Sequence, residues 1–146
     1  MKTLTALAVL LVFAFPVSAG TLEEENKKMV RDFYEMAFNQ HKPTEAAKKY
    51  IGDQYIQHNP YVQNGAAAFY GYFEGFFKAH PKSRVEIKRV IAEGDLVVLH
   101  LHSRVDETDR GRAIVDIFRV ENGKIIEHWD VIQTVPEKSA SGNTMF

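Results

Sequence analysis

The sequence predicts a single α+β domain, with helices in the first half of the chain and antiparallel strands in the second. Two observations support this fold class. As far as Ala79, apolar residues recur at spacings of three and four, the period of amphipathic helices. From Val85 onwards, apolar and polar residues alternate, the period of strands that bury one face. Helices followed by hairpins are typical of a fold in which helices cover one face of a sheet.

The chain begins with the features of a secretory signal peptide. Lys2 precedes an apolar block from Leu4 to Phe15, and this block is followed by Pro16-Val17-Ser18-Ala19, which has small residues at the positions that a signal peptidase requires. A membrane anchor is the alternative, but a transmembrane span needs about 20 apolar residues and this block is shorter. We therefore expect removal of residues 1–19 from an exported protein, periplasmic or secreted. Residues 20–146 are expected to form one domain.

The composition excludes several classes of function. The chain has 18 basic and 19 acidic residues, and loss of Lys2 changes the formal net charge from −1 to −2. We therefore expect no nucleic-acid partner, because such proteins are usually strongly basic. The chain contains no cysteine, which excludes disulfides, thiol chemistry and cysteine-bound metals. An exported domain of this composition must be stabilised by packing rather than by disulfides.

Three helices and one short strand are predicted before residue 80. The first helix spans Leu22 to Phe38, and its acidic residues lie near the N-terminus, where the helix dipole favours them. The second starts at Pro43 and ends near Tyr50. A short strand then runs from Tyr55 to Pro60, where proline ends it. The third helix lies between Asn64 and Ala79, and its aromatic residues are suited to a core or to a pocket lining: Phe69, Tyr72, Phe73, Phe76 and Phe77.

Four strands are predicted in the second half of the chain, at about 85–92, 96–105, 112–120 and 124–135. Asn122 and Gly123 join the last two, and Asn-Gly is a strong signal for a hairpin. A three-residue turn with a glycine bulge would pair Val120 with Lys124. A two-residue turn would shift the register by one residue and reverse the faces of one strand. We favour the three-residue turn.

Asp116 is the most informative residue, because it puts an ionisable carboxyl group into the apolar strand segment 114–118. Burial of an unpaired carboxylate is costly, or raises its pKa until it holds a proton, so such a residue usually has a partner or a chemical role. The favoured register places His128 opposite Asp116, and the alternative register places Trp129 there. In the favoured register four further residues share the face of Asp116: Ile114, Phe118, Ile126 and Asp130.

Two histidines of the neighbouring strand share one face. His100 and His102 alternate with leucines, so both imidazoles project from the same side of the strand. They could bind a metal together with His58 or His128, line a polar pocket, or lie on a solvated face. The pocket is the favoured interpretation, and no metal is predicted. Tyr34 lies at the edge of the apolar stripe of the first helix, as a core aromatic or as a functional hydroxyl.

Three segments resemble one superfamily, the nuclear transport factor 2-like proteins, and within it the SnoaL-like polyketide cyclases. These segments are FYEMAFN at 33–39, YIQHNP at 55–60 and DIFRVENGKIIEHW at 116–129. Together they are most similar to the SnoaL-like aldol-condensation enzymes, over about residues 24–135. The resemblance implies a cone-shaped α+β fold, in which three helices pack on a curved antiparallel sheet that encloses a pocket. It also implies a homodimer.

The resemblance further implies roles for individual residues. In the cyclases an aspartate at the position of Asp116 is the acid/base of an intramolecular aldol closure, and a histidine falls near His102. In the related steroid isomerases this aspartate is a protonated oxyanion donor beside a tyrosine that matches Tyr34. Their proton-shuttling base precedes a proline, where this chain has Asn59. Because asparagine cannot carry a proton at neutral pH, isomerase activity of that type is not expected.

The sequence therefore predicts a cofactor-free acid/base enzyme, an aldol-type cyclase, lyase or isomerase, for a small apolar carbonyl compound. We assign catalysis to Asp116, His128 and His102. The predicted substrate-binding residues are Tyr34, His58, Asn59, His100, Trp129 and Asp130, although Trp129 is also typical of a core. The alternative is a non-catalytic protein that binds a small ligand, because one fold supports many functions. Neither a cofactor nor a stable membrane anchor is expected.

Overall fold

The computed structural model describes residues 19–146, so the predicted signal peptide lies outside the described residues except for Ala19. Within this range none of the helices is both long and apolar enough to span a membrane. The elements, in chain order, are α1 (Ala19–Tyr34), α2 (Pro43–Tyr50), β1 (Ile51–Gln57), α3 (Ala66–Ala79), β2 (Arg84–Glu93), β3 (Leu96–Arg104), β4 (Arg112–Glu121) and β5 (Lys124–Thr134).

A π-helical turn, Glu35–Asn39, continues α1 directly. Such turns add a residue to the helical repeat and are frequent near functional sites. The Asn39 side chain fixes the end of this turn to β2, because it accepts the Val85 N–H at 2.9 Å and donates to the Val85 carbonyl at 3.1 Å. The turn also stacks Phe38 on Tyr34, with ring centroids 4.4 Å apart. Tyr34 at the end of α1 thus packs against Phe38 and against Phe118 of the sheet.

The five strands form one sheet in the order β1-β5-β4-β3-β2. Strands β2 to β5 are the predicted antiparallel meander. Strand β1 pairs with β5 in parallel, so the sheet is mixed, and the expectation of a wholly antiparallel sheet was wrong. Parallel neighbours need a long connection, and α3 with three strands lies between β1 and β5 in the chain.

The β4–β5 hairpin differs from both predicted registers. Asn122 and Gly123 form a two-residue turn with φ values of 50° and 71°, and two positive values are typical of a type I′ turn. The ladder starts with Glu121 opposite Lys124, and a bulge in β5 follows after the next pair. The bulge adds one residue to β5 only. Beyond it, the β5 side chains that share a face with Asp116 are therefore the same ones that the three-residue turn would have placed there.

The bulge determines which residues lie opposite Asp116. Asp130 pairs with Asp116 and His128 pairs with Phe118, so the predictions of His128 or Trp129 opposite Asp116 were both wrong. Asp116, Phe118, His128 and Asp130 nevertheless share one face, as the sequence predicted. Ile126 does not, because the buried partner of Val120 is Ile125.

The core lies between this inner face of the sheet and the three helices. Its largest fully buried side chains come from α1 and from the three strands β3, β4 and β5: Val30, Phe33, Val97, Leu99, Leu101, Phe118 and Ile125. Alternation along β3 turns Val97, Leu99 and Leu101 inward. The helices do not pack tightly on all of the inner face, and a cavity lies between them and the sheet.

Candidate functional site

A cavity of about 270 Å³ lies between the helices and the inner face of the sheet. This volume is near the lower end of small-molecule sites, which begin at about 300 Å³. Its walls are mainly aromatic and include all five aromatic residues predicted on α3, together with Phe33, Tyr34, Phe38, Tyr55 and Phe118. Polar groups converge on the sheet side of the cavity from Gln57, Asn59, Asp116, His128 and Asp130. The cavity therefore combines an apolar body with this polar cluster, and Ser83, Ser103 and Arg112 add further polar groups to its lining.

Asp116 is the most buried member of this polar cluster, with 4% of its surface exposed. The Tyr34 hydroxyl donates a hydrogen bond to its Oδ2. His128 Nε2 lies 3.6 Å from its Oδ1. Burial raises the pKa of the Asp116 carboxyl group, and the opposing effect of His128 is weaker. Asp116 therefore keeps its proton to a higher pH than an exposed aspartate.

His128 is buried beside Asp116 and is held on its other side by Gln57. Its ring packs on Phe118, with centroids 4.8 Å apart, and its Nδ1 lies 2.8 Å from Gln57 Oε1. Gln57 was not among the predicted site residues, although strand alternation places it on the same face as Tyr55. Tyr55 was not predicted for the site either. Its pKa is raised by burial and by the negative charge of Asp130, so its phenol stays protonated.

Asp130 brings a second carboxylate to the site. Asn59 Nδ2 donates to both oxygens of Asp130, at 2.9 and 2.7 Å. Asn59 Oδ1 in turn accepts the backbone N–H of Tyr61 at 2.9 Å. Asparagine at this position therefore orients a carboxylate that comes from β5. The sequence predicted that Asp130 shares the face of Asp116, and the structure makes it the ladder partner of Asp116.

Asp116, His128 and Asp130 together could hold a metal ion, because one ligand atom from each lies within 4.8 Å of the others. One imidazole and two carboxylates are suitable donors for a divalent cation. However, hydrogen bonds from Tyr34 and Asn59 already engage both carboxylates. Each carboxylate therefore already accepts a hydrogen bond from a neutral protein donor.

His100 and His102 lie on the outer face of the sheet, not beside Asp116. The buried Leu99 pairs with Asp116 and projects inward, so its neighbours in β3 project outward. His102 Nε2 lies 2.9 Å from the Arg110 carbonyl oxygen. Neither histidine lines the cavity, which corrects the expectation of a shared pocket. Alternation showed that the two share a face but not which face it is.

His58 and Trp129 also lie outside the cavity. Their rings stack on each other with centroids 4.7 Å apart, and His58 Nε2 lies 2.8 Å from Glu127. Trp129 pairs with Ile117 on the outer face, so it is neither a core residue nor a cavity residue. Tyr34, Asn59 and Asp130, in contrast, line the cavity with Asp116 and His128.

Comparison with known proteins gives one family. Residues 30–128 match the SnoaL-like domain family. A protein classed as a polyketide cyclase, from Bacillus cereus, superposes with a TM-score of 0.64 at 22% identity, over 74% of each chain. A protein classed as a ketosteroid isomerase, from Kribbella flavida, gives 0.64 at 14% identity, over 80% of this chain and 84% of its own.

A second protein classed as a polyketide cyclase, from Acidithiobacillus ferrooxidans, has a TM-score of 0.63 at 17% identity, over 74% of this chain and 87% of its own. None of the curated proteins compared with the chain matches it. At these identities the superpositions establish the fold, and the expected nuclear transport factor 2-like architecture is confirmed.

Proposed function

The chain belongs to the SnoaL-like domain family, and we propose that it is a cofactor-free acid–base enzyme for a small, largely apolar carbonyl compound. One observation carries the proposal: a buried carboxyl group, Asp116, lies in an aromatic cavity between the Tyr34 hydroxyl and His128 Nε2. Removal of a proton next to a carbonyl group needs a base of raised pKa and donors near the oxygen, in a site that excludes water.

The raised pKa suits Asp116 to this chemistry. A carboxylate with a higher pKa is a stronger base, and it also holds the proton more firmly once it has accepted it. The Tyr34 hydroxyl stabilises the ionised state through its hydrogen bond. His128 provides a second proton carrier 3.6 Å away. Asp116 and His128 can therefore exchange the roles of acid and base during one turnover.

In the proposed reaction, ionised Asp116 accepts the α-proton of the substrate through Oδ1. The electron pair of the broken C–H bond forms the enolate, and protonated His128 donates from Nε2 to the enolate oxygen. The enol carbon then attacks a second carbonyl carbon while the enol O–H returns its proton to His128 Nε2, and the new alkoxide takes the proton that Asp116 had accepted. The proton removed from carbon is thus returned to oxygen, and no redox step is involved.

The cavity supports a substrate of limited size and flat, apolar shape. Phe69, Phe73 and Phe77 of α3 line one side, and Phe118 of β4 lines the other. Stacked and edge-on aromatic rings bind planar carbon frameworks well. Asp130 and Asn59 lie beside Asp116 and would position a second polar group of the substrate. We therefore propose an aromatic or alicyclic ketone or aldehyde rather than a long flexible chain.

The test is α-proton exchange in D₂O, because exchange reports enolate formation whatever the final product. The purified protein would be incubated with a panel of small aromatic and alicyclic ketones and aldehydes, with NMR detection of the α-protons. We expect exchange with at least one compound and a loss of about 10²–10⁴-fold in Asp116→Asn. Asp53→Asn, an exposed aspartate on β1, is the matched control and should keep the rate. Equal rates for both variants would contradict the assignment of Asp116.

The second candidate function is ligand binding without turnover. The largely aromatic lining favours it, because such surfaces bind apolar molecules without any acid–base step. A carbonyl compound that raises the melting temperature but shows no α-proton exchange over days would support binding alone. In that case Asp116→Asn should weaken binding only modestly.

Export and dimerisation are further parts of the proposal. The N-terminal pattern of Lys2 and the block from Leu4 to Phe15 supports cleavage after Ala19 and export. N-terminal sequencing of the exported protein should begin at Gly20, and a retained Met1 would contradict export by this route.

Exposed apolar side chains of the outer sheet face, Ile91, Val115 and Val131, support a homodimer through that face. Light scattering should give twice the mass of one chain.

A further inference from the structure

Two backbone N–H groups fix the orientation of both side-chain amides in the site. A backbone N–H is always a donor, so its partner atom must be an oxygen. The Asn59 N–H bonds to the Gln57 side chain at 2.9 Å, and the Tyr61 N–H bonds to the Asn59 side chain at 2.9 Å. The facing amide atoms are therefore Gln57 Oε1 and Asn59 Oδ1, and neither amide can be reversed without losing a hydrogen bond.

The orientation of Gln57 determines the hydrogen on His128. Gln57 Oε1 is an acceptor, and it lies 2.8 Å from His128 Nδ1. A hydrogen bond between them requires that Nδ1 carries the hydrogen. The β1–β5 pairing holds this contact in place, because Gln57 is the ladder partner of His128 and the His58 N–H donates to the His128 carbonyl oxygen at 2.9 Å. Neutral His128 then has its lone pair on Nε2.

We propose that Gln57 is a positioning residue that holds neutral His128 in the Nδ1–H tautomer, so that Asp116 and His128 share a single proton. In this tautomer the Nε2 lone pair faces Asp116 Oδ1 at 3.6 Å. The proton of the pair lies either on the Asp116 carboxyl group or on His128 Nε2. The opposite tautomer would carry the hydrogen of neutral His128 on Nε2, where it faces Asp116. It would also leave Gln57 Oε1 facing the lone pair of Nδ1.

The consequence for the reaction rests on the proposed function, since it concerns the same site. One shared proton lets Asp116 act as a base while His128 supplies the hydrogen to the substrate oxygen. Without Gln57, neutral His128 would be free to place its hydrogen on Nε2, and Asp116 could no longer pass it a proton. Gln57 acts only through His128 and is not itself a proton carrier.

The direct test is the tautomer of His128 in the free protein, read from the ¹⁵N chemical shifts of its ring by NMR. Above the pH at which the ring loses its second proton, wild-type His128 should be the Nδ1–H tautomer. An Nε2–H tautomer in the wild type overturns the proposal. This measurement needs no substrate and no variant, so it does not depend on the proposed function.

Three variants assign the effect to Gln57. Gln57→Leu removes the acceptor, and the Nδ1–H to Nε2–H ratio should fall about tenfold or more. Gln57→Glu keeps an acceptor oxygen and should keep the Nδ1–H tautomer. Gln54→Leu, an exposed glutamine on the same strand, is the matched control and should match the wild type. An unchanged ratio in Gln57→Leu, or loss of the tautomer in Gln57→Glu, overturns the proposal.

Activity separates this inference from the proposed function. Where exchange is observed, Gln57→Leu should lower its rate and alter its pH profile, and Gln57→Glu should restore much of the rate. A correct tautomer in a protein that exchanges no α-proton would mean that the proposed function fails and the role of Gln57 stands. A normal pH profile in Gln57→Leu would overturn the role of Gln57 while leaving the enzyme assignment intact.

Discussion

The Tyr34→Phe substitution removes one oxygen atom from the centre of the site and changes little else. Tyr34 is 4% exposed, and its ring stacks on Phe38 and packs edge-on against Phe33 and Phe118. Phenylalanine keeps these contacts, because only the hydroxyl is lost. That hydroxyl donates to Asp116 Oδ2. The substitution therefore measures the hydrogen bond to Asp116 with little disturbance of packing.

The expected loss depends on the charge of Asp116. A hydrogen bond to a neutral carboxyl group contributes about 0.5–1.5 kcal/mol to the free energy of unfolding, and one to an ionised group about 1.5–3 kcal/mol. Burial raises the pKa of Asp116, so the larger value applies only above that raised pKa. At about 3–5 °C per kcal/mol for a domain of this length, the melting temperature should fall by about 5–15 °C at high pH and less at low pH.

The assay is urea and thermal unfolding of Tyr34→Phe between pH 4 and pH 9. Tyr61→Phe is the matched control, because Tyr61 is 93% exposed and should lose nothing measurable. The loss for Tyr34→Phe should grow with pH. A loss as small as that of the control at every pH would refute the hydrogen bond, and a loss independent of pH would refute the link to ionisation of Asp116.

Three further substitutions or treatments have defined outcomes. Asp116→Asn should gain stability relative to the wild type as the pH rises. The raised pKa of Asp116 stabilises the wild-type fold below the ordinary aspartate pKa, and this contribution is lost as the pH passes the raised pKa. A stability difference that stays constant with pH in urea titrations would contradict this prediction. Leu99→Ala, a fully buried site, should cost about 2–5 kcal/mol, against less than about 1 kcal/mol for the partly exposed Val115→Ala. EDTA should leave the melting temperature and exchange rate unchanged, and a loss restored by one divalent ion would show that the Asp116, His128 and Asp130 cluster binds metal.

The spacing of apolar residues predicted the helices and strands well, because each element buries one of its faces and that burial sets the spacing. The helical spacing before Ala79 and the alternation after Val85 correspond to the three helices and the four-stranded meander. The parallel pairing of β1 was not predictable, because the short segment Tyr55 to Pro60 carries no information about its neighbour in the sheet. The π-helical end of α1 was missed as well, since it depends on the contact of Asn39 with Val85.

The candidate site was predicted in part, and the errors have two physical causes. The two-residue turn and a one-residue bulge in β5 together changed the partner of Asp116 from His128 to Asp130, and no residue type in that segment marks the bulge. Alternation placed His100 and His102 together but could not distinguish the inner from the outer face. The SnoaL-like resemblance was confirmed. Gln57 was missed because its role depends on a strand pairing that the sequence does not specify.

The pH dependence of α-proton exchange, in the wild type and in Asp116→Asn, tests the central claim most directly. If the Asp116 and His128 pair is the base, the rate should rise with pH as the pair loses a proton, with an apparent pKa above the ordinary aspartate value of 3.8, and should be lost in Asp116→Asn. A rate that does not vary with pH, or a profile that Asp116→Asn leaves intact, would contradict the account.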